Sequence, residues 1–203
     1  MKNKGLLLVV SGPSGAGKGT ICAEFMKTHT DCALSVSATT RAPREGEVDG
    51  VNYFFLSHEE FKKRIENGGF LEHAVFCENY YGTPKDEVLR MIDSGKNVIL
   101  EIEVQGALQV RSHYPEAVLV FVIPPSIEEL EKRLRGRGTE EESVIAKRLE
   151  RAKAEFDFIP QYNYVLENDT VNDAVKRLEA IITAEKCAMS RNYKSIKENF
   201  IER

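Results

Sequence analysis

The chain has 203 residues, of which 42% are hydrophobic and 30% charged, and its 28 Lys and Arg against 32 Asp and Glu leave a net charge of −4. At about 150 residues per domain this is one compact domain with room for insertions, and the composition excludes a disordered chain, a collagen and a small disulfide scaffold. The acid excess offers no global attraction to nucleic acid or to an anionic membrane, so neither is expected as a partner, and any bound anion needs a local cluster.

The first apolar run, residues 5–10 (GLLLVV), is followed at once by Ser11 and Gly12. It is far shorter than the ~20 residues of a bilayer span and short for a signal-peptide core, so the chain reads as soluble, unexported and cytoplasmic. Next comes GPSGAGKGT, residues 12–20, then a helical stripe of Ile21, Phe25 and Met26. Further apolar runs lie at 97–102 (NVILEI), 117–123 (AVLVFVI) and, more weakly, 163–166 (NYVL). Such runs suit strands buried on both faces of a parallel sheet. Ser126 with Glu129, and Thr139 with Glu142, form capping boxes ahead of helical periods, and a third period runs from Thr170 through Ile182. Strands alternating with helices give an α/β fold with right-handed crossovers.

Residues 34–94 break this rhythm, with turn residues and many aromatics. Residues 51–56 (VNYFFL) and 70–76 read as strands, 57–66 as a helix with a Ser57/Glu60 box, and 84–92 as a helix with Pro84 at its first position. This is a mixed α+β insertion, and the Arg- and Glu-rich stretch 125–157 is a second one. The remaining core comprises 1–33, 95–124 and 158–203. Residues 191–203 read equally as a final helix or a frayed tail.

The strongest chemical signal is the Gly-rich loop after the first strand, a GxxxxGK pattern opening a helix. Its glycines let successive N–H groups turn toward phosphate oxygens, the helix N-terminus adds its dipole, and Lys18 supplies a point charge. Gly19 stands where Ser or Thr usually follows the Lys to ligate Mg²⁺. Either Thr20 serves, or phosphates and water hold the metal. Arg41 and Arg44 sit three apart in a stretch that Pro43 keeps non-helical, and two guanidinium forks suit a dianionic phosphate. On charge alone, the arginines read as a solvated charged loop, and Tyr53 and Tyr81 as ordinary strand packing; only their joint presence on a P-loop core favours phosphate binding. Cys22, Cys32, Cys77 and Cys187 form no CxxC and read as reduced thiols. His29, His58, His73 and His113 are scattered and read as structural.

Together with that loop, SVSATTRAPREGEVDGVNYFF, GFLEHAVF, NYYGTP, ILEIEVQGA, PPSIEELEKRLRGRGTEEESVIAKRL and ENDTV, in order over nearly the whole chain, make it resemble guanylate kinase, the family that phosphorylates GMP with ATP. The resemblance implies a P-loop parallel-sheet core flanked by helices, with 34–94 as a GMP-binding insertion and 125–157 as a helical lid. It implies ATP as co-substrate, Mg²⁺ as cofactor, and ATP contacts from Gly12, Pro13, Ser14, Gly15, Ala16, Gly17, Lys18, Gly19, Thr20, Arg137 and Asn168, the last near the adenine with Asp169. Ser37, Arg41, Arg44, Tyr53 and Tyr81 would hold the GMP phosphate. Glu72 would accept from the guanine N1–H and exocyclic amine, and Thr83 would touch O6. Glu101 and Glu103 would contact nucleotide or the metal's water shell, and strand alternation sends both to one face. Lys18, Arg41, Arg133, Arg137 and Arg148 would stabilise the transferred phosphoryl group. Because the acceptor is already an ionised phosphate, neither a general base nor a covalent intermediate is expected.

Three other readings compete. A ribose bisphosphate kinase lacks a use for Glu72 and Thr83. A non-catalytic module binding phosphorylated peptides loses the phosphate loop and lid arginines that this chain keeps. A P-loop GTPase wants an NKxD motif, which neither 163–165 nor 167–169 supplies.

Overall fold

The computed structural model describes residues 4–136 and 141–201. Five parallel strands form the main sheet: β1 (Leu7–Ser11), β2 (Cys32–Leu34), β7 (Asn97–Glu101), β8 (Val118–Ile123) and β9 (Tyr164–Glu167), in the order β2-β7-β1-β8-β9. Every residue of β1 is buried, and its side chains alternate between two cores. Leu8 and Val10 join a cluster with Ile21 and Phe25 of α1 (Lys18–Met26) and Ala174, Leu178 and Ile181 of α7 (Val171–Cys187). Leu7 and Val9 join the opposite cluster with Val88 and Ile92 of α3 (Lys85–Asp93) and Ala107 and Val110 of α4 (Val104–His113). Helices therefore cover both faces, which explains why these strands read as continuous apolar runs.

A second sheet, ordered β4-β3-β6-β5, is built from β3 (Ala38–Thr39), β4 (Phe54–Phe55), β5 (Phe70–Phe76) and β6 (Asn79–Pro84). Helix α2 (His58–Glu66) covers it, with Phe61 stacked on Phe70 at 4.3 Å between ring centroids. The Ser57 hydroxyl accepts from the Glu60 amide at 3.1 Å, as the capping box predicts. The β5–β6 hairpin turns through Cys77 and Glu78, both with positive φ although neither is glycine. Gln109 of α4 donates to the His73 carbonyl (3.0 Å) and accepts from its amide (3.1 Å), so the free edge of β5 is paired with a helix side chain.

A third unit packs α5 (Ile127–Arg135) on α6 (Glu142–Glu155) through Leu130, Leu134, Ile145 and Ala152, and a 3-10 helix (Phe156–Gln161) returns the chain to β9. The Ser126 hydroxyl caps α5, accepting from Glu129 N at 3.1 Å. Arg137 and Thr139, hence one expected site residue and the second capping box, lie outside the described residues; Glu141 is the N-cap of α6.

Some expectations shift by a few residues. The 51–56 run shortens to a two-residue strand, because Asp49 takes the Phe55 amide on its side chain and pairs by a bridge with Tyr53. Pro84 closes β6 and is the N-cap of α3 rather than its first residue. Residues 189–200 form a helix, α8 (Met189–Phe200), with no buried residue.

Candidate active site

The phosphate loop leaves the carboxyl end of β1, the central strand, and runs into α1. This is the edge of an open parallel sheet where ligands collect. Gly12 adopts φ 137, and a Cβ there would stand 2.3 Å from the Val122 carbonyl oxygen. Gly17, the N-cap of α1, adopts φ 92. Side chains are excluded at both, so the loop backbone stays uncovered for an anion. The Lys18 ammonium folds back on this loop, donating to the carbonyls of Gly12 (2.7 Å) and Pro13 (3.1 Å). Burial pulls its pKa below the ordinary lysine value, while Glu101, Glu155 and Glu103 oppose that shift.

Gly19 explains its own departure from the usual pattern. A Cβ at this position would lie 3.1 Å from Oε1 of Glu101. The carboxylate at the end of β7 thus rests against the phosphate loop, and burial raises its pKa. A side chain after Lys18 would push it away. Thr20 lines a pocket of about 350 Å³ with Gly15, Gly17, Arg133, Asn168 and Asp169.

Glu101 and Glu103 do not share a strand face. The strand ends at Glu101, and Glu103 is the N-cap of α4, so the two-residue alternation no longer applies. Glu103 instead accepts from Arg151 of α6 at 2.6 Å. Both carboxylates still act electrostatically on Lys18.

A second pocket, about 170 Å³, is lined by Ser35, Ser37, Tyr53, Thr83 and Glu101 among others. Glu72 of β5 lies behind it, 7% exposed. The Thr83 hydroxyl donates to Glu72 Oε1 at 2.7 Å, and Glu72 Oε2 faces Gly106 of α4, where a Cβ would come within 3.1 Å. Burial pushes the Glu72 carboxyl above its ordinary pKa, against the lowering effect of the Thr83 hydrogen bonds.

Arg41 reaches the same region beside Tyr53, whose ring centroid is 5.5 Å away, and the nearby Tyr81 phenol acts on its guanidinium electrostatically. The two tyrosine rings meet edge to face at 6.2 Å. A carboxylate that sequence reading did not single out completes the cluster. Glu47 takes a forked bond from Arg41 Nη2 (2.8 and 3.0 Å) and a third from the Arg44 amide (2.8 Å). These donors hold it below the usual carboxylate range, the Arg41 bond foremost. Its signal in the sequence was only its place three residues after Arg44. Ser35 is a second omission: its buried hydroxyl has no hydrogen-bond partner among the described residues. The Arg44 side chain is exposed.

On α5, Arg133 is held by Glu129 (2.9 Å) and donates to the Asn168 carbonyl (3.0 Å). Arg148 lies half-buried on α6. Arg151, also unforeseen, bridges Glu103 and Glu155 from the same helix.

The combined geometry is a Gly-rich anion loop on one side of Glu101 and a carboxylate–hydroxyl pocket on the other. A family model described as guanylate kinase matches residues 4–185. The chain belongs to the guanylate kinase family. A guanylate kinase of Clostridium perfringens (strain SM101 / Type A) is 54% identical over 200 residues, 98% of this chain and 91% of that one. One from Halalkalibacterium halodurans is 57% identical over 190 residues, 94% of this chain and 93% of that one. The crystal structure of guanylate kinase from Anaplasma phagocytophilum superposes with a TM-score of 0.74 at 30% identity, covering 99% of this chain and 97% of that one. The chain is therefore a guanylate kinase enzyme, and ATP-dependent phosphorylation of GMP is the activity this membership carries.

Among the described residues no three acidic, His or Cys side chains converge into a metal cage. A guanylate kinase does not need one, because Mg²⁺ keeps much of its water and takes substrate phosphates as ligands. The Glu101 carboxylate beside the phosphate loop and the Thr20 hydroxyl are oxygen donors of the right kind. No described helix is long and apolar enough to cross a membrane.

Proposed function

We propose that this guanylate kinase transfers the γ-phosphate of ATP in line to GMP, and to dGMP as well, in a single displacement without a covalent intermediate. The observation that carries this reading is the position of Glu101. It lines the Ser37–Tyr53–Thr83 pocket and rests against Gly19 of the phosphate loop, so donor and acceptor phosphates meet at one carboxylate.

The roles follow from chemistry. Residues 12–20 cradle the ATP phosphates, and Lys18 exchanges its two loop carbonyls for phosphate oxygens. Phosphates and water, with the Thr20 hydroxyl and the Glu101 carboxylate at hand, would hold Mg²⁺, which would supply charge neutralisation on the donor oxygens. Ionised Glu72 accepts the adjacent N1–H and amino donors of guanine, an edge that adenine lacks, and the Thr83 hydroxyl, which gives its one proton to Glu72 in the empty site, turns that proton to O6 when guanine binds. Ser37, Arg41, Arg44, Tyr53 and Tyr81 bind the acceptor phosphate, and Arg41 shifts from Glu47 toward it as GMP enters. Glu103 sits at the acceptor side, tethered by Arg151. Arg133, Arg137 and Arg148 close with the lid over the transferring group, as phosphoryl transfer asks for charge neutralisation and water exclusion more than for a base. Recognition through base and phosphate leaves the 2′-hydroxyl unread, which is why dGMP is accepted.

The three segments act as core, GMP-binding insertion (34–94) and lid (125–157). Four free cysteines suit a reducing compartment, so we place the enzyme in the cytoplasm, recycling GMP in purine metabolism without nucleic-acid or membrane partners. The test is ADP release with MgATP over GMP, dGMP, AMP, CMP, UMP and a ribose bisphosphate. Release with GMP and dGMP alone is expected. Equal release with AMP would remove Glu72 as the base reader, and release only with the ribose bisphosphate would overturn the whole assignment.

A further inference from the structure

Asn168 is 4% exposed, an unusual degree of burial for a carboxamide at the mouth of a nucleotide site. It follows β9 directly, and its amide donates to the Ile123 carbonyl at 2.8 Å, extending the sheet ladder by one residue. Its side-chain nitrogen donates to the Ala16 carbonyl inside the phosphate loop at 2.7 Å. A carbonyl can only accept, so this contact fixes which end of the carboxamide faces the loop. The same nitrogen stands 2.3 Å from the point where a Cβ on Gly17 would be. The Asn168 carbonyl in turn accepts from Arg133 at 3.0 Å. One residue on a rigid strand end is thus bonded to the sheet, the phosphate loop and the lid.

The consequence follows from the geometry of a trans peptide, in which C=O and the next N–H point in opposite directions. No peptide bond in the described chain is cis. Holding the Ala16 carbonyl on one side therefore aims the Gly17 N–H to the other, away from Asn168. We propose that Asn168 is a positioning residue for the phosphate loop. It locks the Ala16–Gly17 peptide plane so that the Gly17 N–H faces the donor phosphates, and its backbone carbonyl seats Arg133 beside the same loop. This role differs from contact with the adenine ring. It rests on residues 12–20 being the ATP site, as read above.

The two roles separate with a donor that has no base. Inorganic tripolyphosphate should compete with ATP and should also bind the full chain directly in calorimetry. Asn168→Ala removes the donor, and Asn168→Asp replaces it with an acceptor of the same shape. Loop positioning predicts that the KM for ATP and the dissociation constant of tripolyphosphate rise together, by about ten- to a hundredfold for a buried carbonyl left unpaired. The KM for GMP should stay within about twofold. For Asn168→Asp the ratio of variant to wild-type affinity should narrow toward acid pH, because a protonated carboxyl can again donate to the Ala16 carbonyl; Asn168→Ala should show no such narrowing. Should the Asp variant fail to fold, the Ala variant carries the comparison alone. Weakened ATP with unchanged tripolyphosphate would overturn the proposal in favour of base contact. A lower Tm with both affinities unchanged would overturn it in favour of a purely structural bond. If wild type released no ADP with any acceptor, the functional reading would fall, while the tripolyphosphate titration would still decide the role of Asn168.

Discussion

Glu72 concentrates the residue-scale physics of this site. Its carboxyl is buried against Gly106 and held by Thr83, and burial raises its pKa above the ordinary value. A carboxyl whose folded-state pKa lies above its unfolded value stabilises the fold fully below the unfolded value, and that contribution is lost as pH rises through the folded one. Ionised Glu72 therefore costs the empty enzyme stability, and in the function proposed above guanine supplies the two donors that offset the cost. Two outcomes are expected for Glu72→Gln. Its Tm without nucleotide should equal or exceed that of wild type at neutral pH. Its KM for GMP should rise by about ten- to a hundredfold, because the amide nitrogen now opposes a guanine donor. In wild type the KM for GMP should also climb as pH falls through the shifted pKa, and this limb should vanish in the variant. A wild-type profile superimposable on that of the variant would refute the role given to the ionised carboxylate.

Elements bring these residues together, and α4 does so most directly. Gln109 grips the edge of β5, and Gly106, one turn earlier, leaves room for the Glu72 carboxylate that β5 carries. Gly106→Ala sets two effects against each other. Helix propensity gains up to about 1 kcal/mol. The new Cβ would stand 3.1 Å from Glu72 Oε2, and Thr83 prevents the carboxylate from retreating. The propensity gain is spread over the fold, whereas the crowding falls on Glu72, the proposed base reader. The expected result is a Tm close to wild type with a KM for GMP about fivefold higher, the equivalent of about 1 kcal/mol of misplacement, and no change for ATP. Steady-state kinetics with each substrate varied in turn would check this, and a parallel rise in both KM values would show general damage instead.

At the scale of the whole molecule, β1 is both the centre of the core and the stem of the phosphate loop. Its side chains supply both hydrophobic clusters, so the loop starts from the most rigid line in the protein. Lys18 belongs to function rather than to this core. Its ammonium is desolvated, it lies among Glu101, Glu103 and Glu155, and among the described residues it is bonded only to loop carbonyls. Lys18→Ala should consequently keep the native fold and a Tm within a few degrees of wild type. Turnover should drop by about a hundred- to a thousandfold, the scale of one lost preorganised donor to a developing charge. Thermal melting and ADP release on the same preparation would test both halves, and near-normal turnover would remove the phosphate-loop argument.

Much of this was legible in the chain itself. Buried parallel strands announce themselves because both faces are apolar, and the phosphate loop because its glycines and lysine follow a strand and precede a helix. The capping residues of α2 and α5 are local chemistry, and Ser57 and Ser126 cap as their spacing predicts. The edge strand β2 went unread because three residues carry no usable period, and the β5–β6 turn because Cys77 and Glu78 are not turn-forming types. What no local pattern contains is which distant groups meet. Glu101 against Gly19, Glu72 against Gly106, Glu47 beneath Arg41 and Asn168 on Ala16 are each decided by how separate elements pack. The sequence alone determined the element types and the anion loop, since these depend on residues within a turn or two of one another. Only the tertiary structure decided the partner and the burial of each charge, and with them its pKa and its task.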